Sequence, residues 1–437
     1  MRKLIRSGLI MGLLLAAPAQ LWAKDIAVHA GRLIDGVSKA PRSNMTILIR
    51  DDRIISVTPG FTTPVGAEVV DLSRLTVLPG LIDCHVHLSF DLFTVKLPPQ
   101  LQIVKRSSYD ELLTAVESGR RTLMAGFTSV RDVAGYTPAM AALKNAVKSG
   151  GITGPRMWIS GTPLGPTGGH SDLSNGFDAQ VSKAEWRDAV IDGPDEAVKS
   201  VRQHHKGGAD VIKITISGGT TTEGDNPHAQ LMSDAEIQAV VDTAHVLGMK
   251  VAAHVQARGA IGRAAALGVD TIEHGTFADA ADYNEMKAKG AWFVPTPLVA
   301  KFKADVARSR PEMFSASAAS KLLSIDPLLE NLGRAHKAGV KIAFGTDAGV
   351  VPHGQNAQGF ALLVRSGLTP MEAIQTATAS AAEAIGAAED IGTIQPGRYA
   401  DLVATANDPL ADITELERIK FVMKGGSVVR ANIAPQP

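Results

Sequence analysis

Six residues spread over more than half of the chain share one kind of chemistry: His85, His87, Lys213, His254, His274 and Asp347. Neutral imidazoles and a carboxylate bind divalent first-row ions, with zinc the default. Lys213 is the odd member, because an ammonium among cations is repelled. It becomes sensible if its amine has captured carbon dioxide. The resulting N6-carboxylysine is an anion with two oxygens, able to bridge two metals. Singly, each histidine also fits a hydrogen-bonded core position; the joint placement of the set speaks for a metal centre.

That placement depends on the elements carrying the residues. His85 and His87, in PGLIDCHVHL (79–88), are two apart, so on an extended chain both point to one face. The first strand of the central region is expected at Val77–His85. Lys213 sits inside VIKIT, His254 closes VAAHV, His274 closes TIEHG, and Asp347 lies in FGTDAG. Each is in, or at the C-terminal end of, an expected strand. A helix–glycine–strand pattern recurs, with turns at Gly126, Gly207-Gly208, Gly248, Gly268 and Gly339. Glycine caps the helix in the left-handed conformation, and the β-branched run after it is a strand buried on both faces. Repeated units of this kind predict a parallel α/β architecture closed into a barrel, whose strand ends converge on one mouth. Thr369-Pro370-Met371-Glu372 reads as a capping box that opens the last barrel helix.

The flanks differ. Ile26–Ala30, Met45–Ile49 and Arg53–Val57, then Leu402–Thr405, Ile419–Met423 and Ser427–Arg430, read as short strands punctuated by Gly, Asp and Pro. Neither flank is large enough to bury a core alone, so the two are expected to join as one small β domain. Residues 1–23 have a secretory layout: Arg2, Lys3 and Arg6, an apolar run from Gly8 to Ala17, then Ala19 or Ala23 as the cleavage point. The expectation is an exported protein, periplasmic or secreted, with no stable membrane insertion after cleavage. Of 437 residues 45% are hydrophobic, and 44 basic side chains balance 44 acidic ones, which excludes a disordered chain and a polybasic nucleic-acid binder. The single cysteine, Cys84, excludes a disulfide scaffold and should face the core, opposite His85.

The ordered motifs PGLIDCHVHL, GFTSVRD (126–132), the strand-four lysine, AAHV, EHGT, GTDAG and IGTIQPGRYADLV (391–403) resemble the amidohydrolase superfamily. Within it the chain is similar to the imidazolonepropionase-like, prolidase-like branch of metal-dependent carboxypeptidases, near the ochratoxin-hydrolysing amidohydrolases. The resemblance implies a distorted (β/α)8 TIM barrel over residues 80–386, and a β-sandwich built from 24–79 and 387–437. It implies two divalent ions per chain. His85, His87 and Asp347 would hold one and His254 and His274 the other, with carboxylated Lys213 bridging. A water shared by two metals has its pKa lowered towards about 7, and Asp347 can move its proton to a departing amine. The implied substrate is a small molecule, a dipeptide or N-acyl amino acid, handled by a chain that forms a homo-oligomer.

Other residues are second-tier candidates. His170, in the loop after strand three, can hydrogen-bond a developing oxyanion or a substrate carboxylate; His228 and His353 are further candidates for the pocket. Arg131 and Asp132 read as a structural ion pair, and His204 and His205 as solvated residues at a helix end. Segments 162–184 and 298–322 are expected to wall the mouth. Lys301, Lys303, Arg308 and Arg310 in the second of these read as a solvated charged face. Three alternatives remain: a single-metal deaminase or imidazolonepropionase, to which Lys213 is useless; a cyclic-amide hydrolase, lactonase or esterase of the same superfamily; and an exported metal- or solute-binding protein.

Overall fold

The computed structural model describes residues 25–432, apart from 94–98, 179, 182, 221, 223–224 and 315–325. The leader expected at 1–23 lies outside the described residues, as does 315–322 of the second loop segment. No helix among the described residues is long and apolar enough to cross a membrane.

Seven strands from the two ends of the chain share one sheet. β1 (Asp25–Leu33), β2 (Arg42–Arg50), β3 (Arg53–Pro59) and β4 (Glu68–Pro79) come from the N-terminal side. The central strands are β5 (Leu81–Val86), β6 (Phe127–Asp132), β7 (Arg156–Ile159), β8 (Val211–Thr215), β9 (Lys250–Val255), β10 (Thr271–His274) and β11 (Trp292–Val294). β12 (Leu402–Thr405), β13 (Phe421–Lys424) and β14 (Ser427–Ala431) complete the terminal sheet, in the order β14-β13-β12-β4-β1-β2-β3. β4 is its seam, parallel to β1 and antiparallel to β12. Alternation lets β12 and β13 serve two cores. Leu402, Ala404, Phe421 and Met423 pack with Val28, Ile47 and Leu72, while Val403 and Val422 face the large central core.

The central strands form two parallel sheets, β5-β6-β7 and β8-β9-β10-β11. Parallel bridges continue the pairing, Leu164 to Ile214 beside β8 and Phe293 to Ile342 beside β11. Segment 342–348, where an eighth strand was expected, has no regular strand of its own. It returns to β5 through Cys84 N–H to Phe344 O (2.9 Å), Asp347 N–H to His85 O (2.8 Å) and His87 N–H to Ala348 O (2.7 Å). The five helix-to-strand turns read from the sequence have a glycine at positive φ, from 75° at Gly248 to 97° at Gly126. The Thr369–Glu372 capping box is formed.

The expected first strand, Val77–His85, is two strands. The chain leaves the terminal sheet at Pro79 and enters β5 at Leu81. Pro79 lacks an amide donor, and Gly80 passes so close to β6 that a Cβ there would lie 2.1 Å from Thr128 Oγ1. The change of sheet is made at that contact.

β8, β9 and β10 are buried apart from Lys250 at the start of β9, yet their two faces differ chemically. Ile212, Ile214, Val251, Ala253 and Ile272 point outward into the core beneath the helices. Lys213, His254 and Glu273 occupy the alternate positions. The outer layer is filled by stacked rings, Phe344 on Phe360 with centroids 4.4 Å apart and both on Phe127. Phe360 is fully buried, so Phe360→Ala is expected to destabilise the protein by about 3–5 kcal/mol. Denaturant unfolding measures this, and a loss under 1 kcal/mol would show that the ring stack is not a core element.

Candidate active site

The six metal-capable residues converge. Ligand atoms of His85, His87 and Asp347 all lie within 4.8 Å of one another. Asp347 Oδ1 is 2.9 Å from His87 Nε2 and 3.8 Å from His85 Nε2. The 2.9 Å contact lacks hydrogen-bond geometry, and Asp347 Oδ1 is a buried oxygen with no hydrogen-bond partner. A carboxylate oxygen left in that state beside two imidazoles fits a shared cation. The imidazoles continue as a row, with ring centroids 5.2 Å apart from His87 to His85, 4.8 Å to His274, 4.6 Å to His254 and 4.1 Å to His170. Lys213 lines the same cavity.

Three residues at or just beyond strand ends hold this arrangement in unusual backbone. His274, Thr296 and Asp347 have φ of 68°, 45° and 62°, the left-handed region that non-glycine residues seldom occupy. The turn at His274 has a direct effect. Alternation along β10 would send Glu273 and His274 to opposite faces, but both point to the centre. The Thr296 hydroxyl is 2.7 Å from His274 Nδ1, which leaves Nε2 as the ring nitrogen not engaged by it.

Glu273 is the residue that sequence reasoning missed. One of its oxygens is 2.6 Å from His85 Nδ1, so His85 also presents Nε2. The other accepts from Arg131 Nη2 (2.7 Å) and the Thr271 hydroxyl (2.5 Å). Arg131 donates further to Thr271 Oγ1 (2.9 Å) and the Cys84 carbonyl (2.6 Å). The expected Arg131–Asp132 ion pair is therefore not formed. Neighbours on a strand face opposite ways, and Asp132 instead accepts from the backbone amides of Leu88 (2.7 Å) and Ala134 (3.4 Å). The available signal for Glu273 was an acid inside a short strand expected to be buried on both faces. Asp83 was missed as well. It accepts from the amides of His85 and Thr346 and from the side chains of Thr346 and Asn356, joining β5 to the segment that carries Asp347.

Burial sets the protonation of the site. It draws the Lys213 ammonium down to about 8. It draws His85 down to about 4, with Lys213 adding to the effect, and His170 to about 3, with Lys303 adding next. His254 and His274 are held well below the ordinary imidazole range, chiefly by burial. Burial pushes the Glu273 carboxyl up, but Arg131 and His85 bring it below its usual range. His85, His170, His254 and His274 are thus held as neutral imidazoles near the Glu273 and Asp347 carboxylates, and neutral imidazole is the form that binds metal.

The second-tier candidates separate. His170 reaches the centre, with Nδ1 on the Thr222 hydroxyl. His353 does not line the cavity; it is buried behind His87, 3.2 Å from the His87 carbonyl and 3.1 Å from Thr122 Oγ1. His228 is exposed and its ring lies tilted against Phe277, a wall residue, with centroids 4.3 Å apart, so it backs the pocket from outside. His204 is buried rather than solvated, because its ring fits between the carbonyls of Ser200 (2.8 Å) and Thr162 (2.9 Å), whereas His205 is exposed. Cys84 faces the core. Lys301 and Arg308 are on the outer face, both paired with Asp305, and Arg310 donates to the Phe93 carbonyl. Lys303 departs from the expected solvated face and lines the cavity. Glu273→Gln should lower metal retention ~10- to 100-fold and cost about 3–5 kcal/mol by leaving buried Arg131 unpaired. Metal analysis after dialysis and denaturant unfolding measure both; wild-type values in each would remove Glu273 from the support of the site.

A model of the amidohydrolase family matches residues 76–429. The ochratoxinase of Aspergillus niger is 30% identical over 443 residues, covering 93% of this chain and 87% of that protein. Among solved structures, a Xaa-Pro dipeptidase with methionine bound in its active site has a TM-score of 0.88 at 34% identity, covering 93% of this chain and 100% of that one. A prolidase in complex with N-methylphosphonate-L-proline has a TM-score of 0.86 at 30% identity, with coverage of 93% and 100%. With the ligand cluster at the strand ends and a match over most of its length, this chain belongs to the amidohydrolase family and is a hydrolase of amide bonds.

Proposed function

We propose that the protein is a two-metal amidohydrolase that releases the C-terminal amino acid from dipeptides or N-acyl amino acids. The observation that carries this reading is the convergence of His85, His87 and Asp347, with Lys213, His254 and His274 beside them, at the floor of one cavity. We read the central strands as a distorted (β/α)8 barrel over residues 80–386 and the terminal sheet as its composite sandwich domain. Residues 1–23 are read as an export signal. The two solved relatives that hold methionine or a proline analogue support a leaving group with a free carboxylate.

His85, His87 and Asp347 would hold one divalent ion and His254 and His274 the other, with Lys213 as its carbamate between them. When bound, the ions supply an acidified water and withdraw electrons from the scissile carbonyl. The chain's own residues do the rest. Burial draws the Lys213 ammonium down to about 8, which favours the neutral amine, the form that reacts with carbon dioxide. Asp347 takes the proton of the attacking water and delivers it to the departing nitrogen as the C–N bond breaks and the C–O bond forms. His170 is held neutral, and with Nδ1 engaged by Thr222 it offers Nε2 to the carbonyl oxygen as charge develops there.

A panel of dipeptides and N-acyl amino acids, assayed with metal-loaded enzyme, tests the function. We expect hydrolysis that prolonged chelation abolishes and that zinc, cobalt or manganese restores. A rate that survives chelation overturns the mechanism, and inertness towards the whole panel overturns the substrate class. Lys213→Ala should lose metal and activity together. Lys213→Arg should not restore them, being still a cation, whereas acetate should rescue the alanine variant in part. Full metal content in Lys213→Ala would remove the bridge from the design.

A further inference from the structure

The cavity above the ligands has two lobes. The larger, about 280 Å³, is walled by aromatic rings, among them Phe90, Phe93, Tyr136, Phe177, Trp186 and Phe314. The smaller, about 100 Å³, lies towards Phe277, Pro295, Val299, Pro327 and Leu328. His170, His254, His274, Lys303 and Asp347 line both, so the lobes meet over the ligands. A scissile bond placed at the junction sends its acyl side into one lobe and its amine side into the other.

The charges differ between the lobes. Among the described residues, the larger one has Asp172 and Glu111 in its wall in addition to the shared Asp347. The Asp172 carboxyl is kept below its usual range: burial pushes it up, but Ser174 and the Gly168 amide more than offset that. A second carboxylate entering there meets like charge in a partly desolvated space. Among the described residues, the smaller lobe has no acidic residue apart from the shared Asp347. Its polar side chains are neutral, Thr220, Gln256, Thr276 and Thr296, together with the histidines and one ammonium.

That ammonium belongs to Lys303, on the helix Pro297–Ser309 that follows β11. Val299, Ala300 and Lys303 share one helical face and all three line the smaller lobe. Lys301 and Arg308, on the other side, are tied to Asp305 in solvent. Burial lowers the Lys303 ammonium from its ordinary range and Asp347 opposes that, while Lys303 adds to the burial that holds His170 neutral.

We propose that Lys303 receives the free carboxylate of the departing amino acid in the smaller lobe, while the acyl group lies against the rings of the larger one. The assignment rests on the amide-hydrolase reading above and adds the residue that makes the enzyme select a free C-terminus and an aromatic or otherwise bulky acyl group. A charge-assisted contact of this kind contributes mainly to binding, so its loss raises KM more than it lowers kcat.

The test compares N-benzoyl-L-phenylalanine with its C-terminal amide on wild type, Lys303→Met and Lys303→Arg, with metal content and Tm recorded for each. Wild type should favour the free acid. In Lys303→Met the ratio of kcat/KM for acid over amide should fall ~10- to 100-fold, chiefly through KM for the acid, and Lys303→Arg should retain most of it. If the methionine variant does not fold, Lys303→Gln takes its place. A neutral variant that keeps the wild-type ratio, or loses acid and amide rates equally, overturns the assignment and leaves the function standing. Wild type that cleaves acid and amide alike, or neither, overturns the carboxypeptidase reading and the Lys303 assignment with it.

Discussion

The interior of the central strands is organised around one buried carboxylate. Glu273 and Arg131 are both almost fully removed from water, a placement that costs several kcal/mol per ion unless every donor and acceptor is matched. Here they are matched. Glu273 meets Arg131, Thr271 and His85, while Arg131 also takes the Cys84 carbonyl. These contacts run between β5, β6 and β10, across the interior as well as around it. They fix which nitrogen of His85 is offered to a metal, and they hold the strand that carries it. The apolar outer faces of the same strands seal this polar centre beneath the helices.

The second constraint is backbone strain. Residues held in the left-handed region cost of order 1–3 kcal/mol each and persist where the surroundings fix them. His274, Thr296 and Asp347 are fixed in this way, His274 and Thr296 through their mutual contact and Asp347 through its amide on the His85 carbonyl. Without the turn at His274, Glu273 and His274 could not both face the centre. The strained conformation is what allows one short strand to supply both the His274 imidazole and the carboxylate that orients His85.

Much of this was legible in the sequence. Glycine-capped turns and β-branched runs located the strands, and period-two spacing gave His85 and His87 a common face and Cys84 the opposite one. The features that escaped do not follow from local pattern. Glu273 was hidden because His274 was read from its place at the strand end, and alternation turns a neighbour on the strand to the other face. The partner of Arg131 lies 142 residues away in sequence, across the strands. Lys303 sits among other cations on a helix whose sequence does not reveal which face turns inward. The break at Gly80 depends on the approach of Thr128, a contact made only in the folded chain.

The terminal sheet sets an order of events during synthesis. Residues 76–79 of β4 have their antiparallel partner at Leu402–Thr405, more than 300 residues later. At the usual 5–20 residues per second, roughly 16–65 s separate the two strands as they leave the ribosome. Through that interval β4 can pair with β1 on one side only, and its other side, with Val77 and Leu78, stays open. An unpaired edge of this kind is a template for joining another chain. The nascent protein is therefore most exposed to self-association before its last strands exist, and truncations that remove β12 should aggregate even with every metal ligand present.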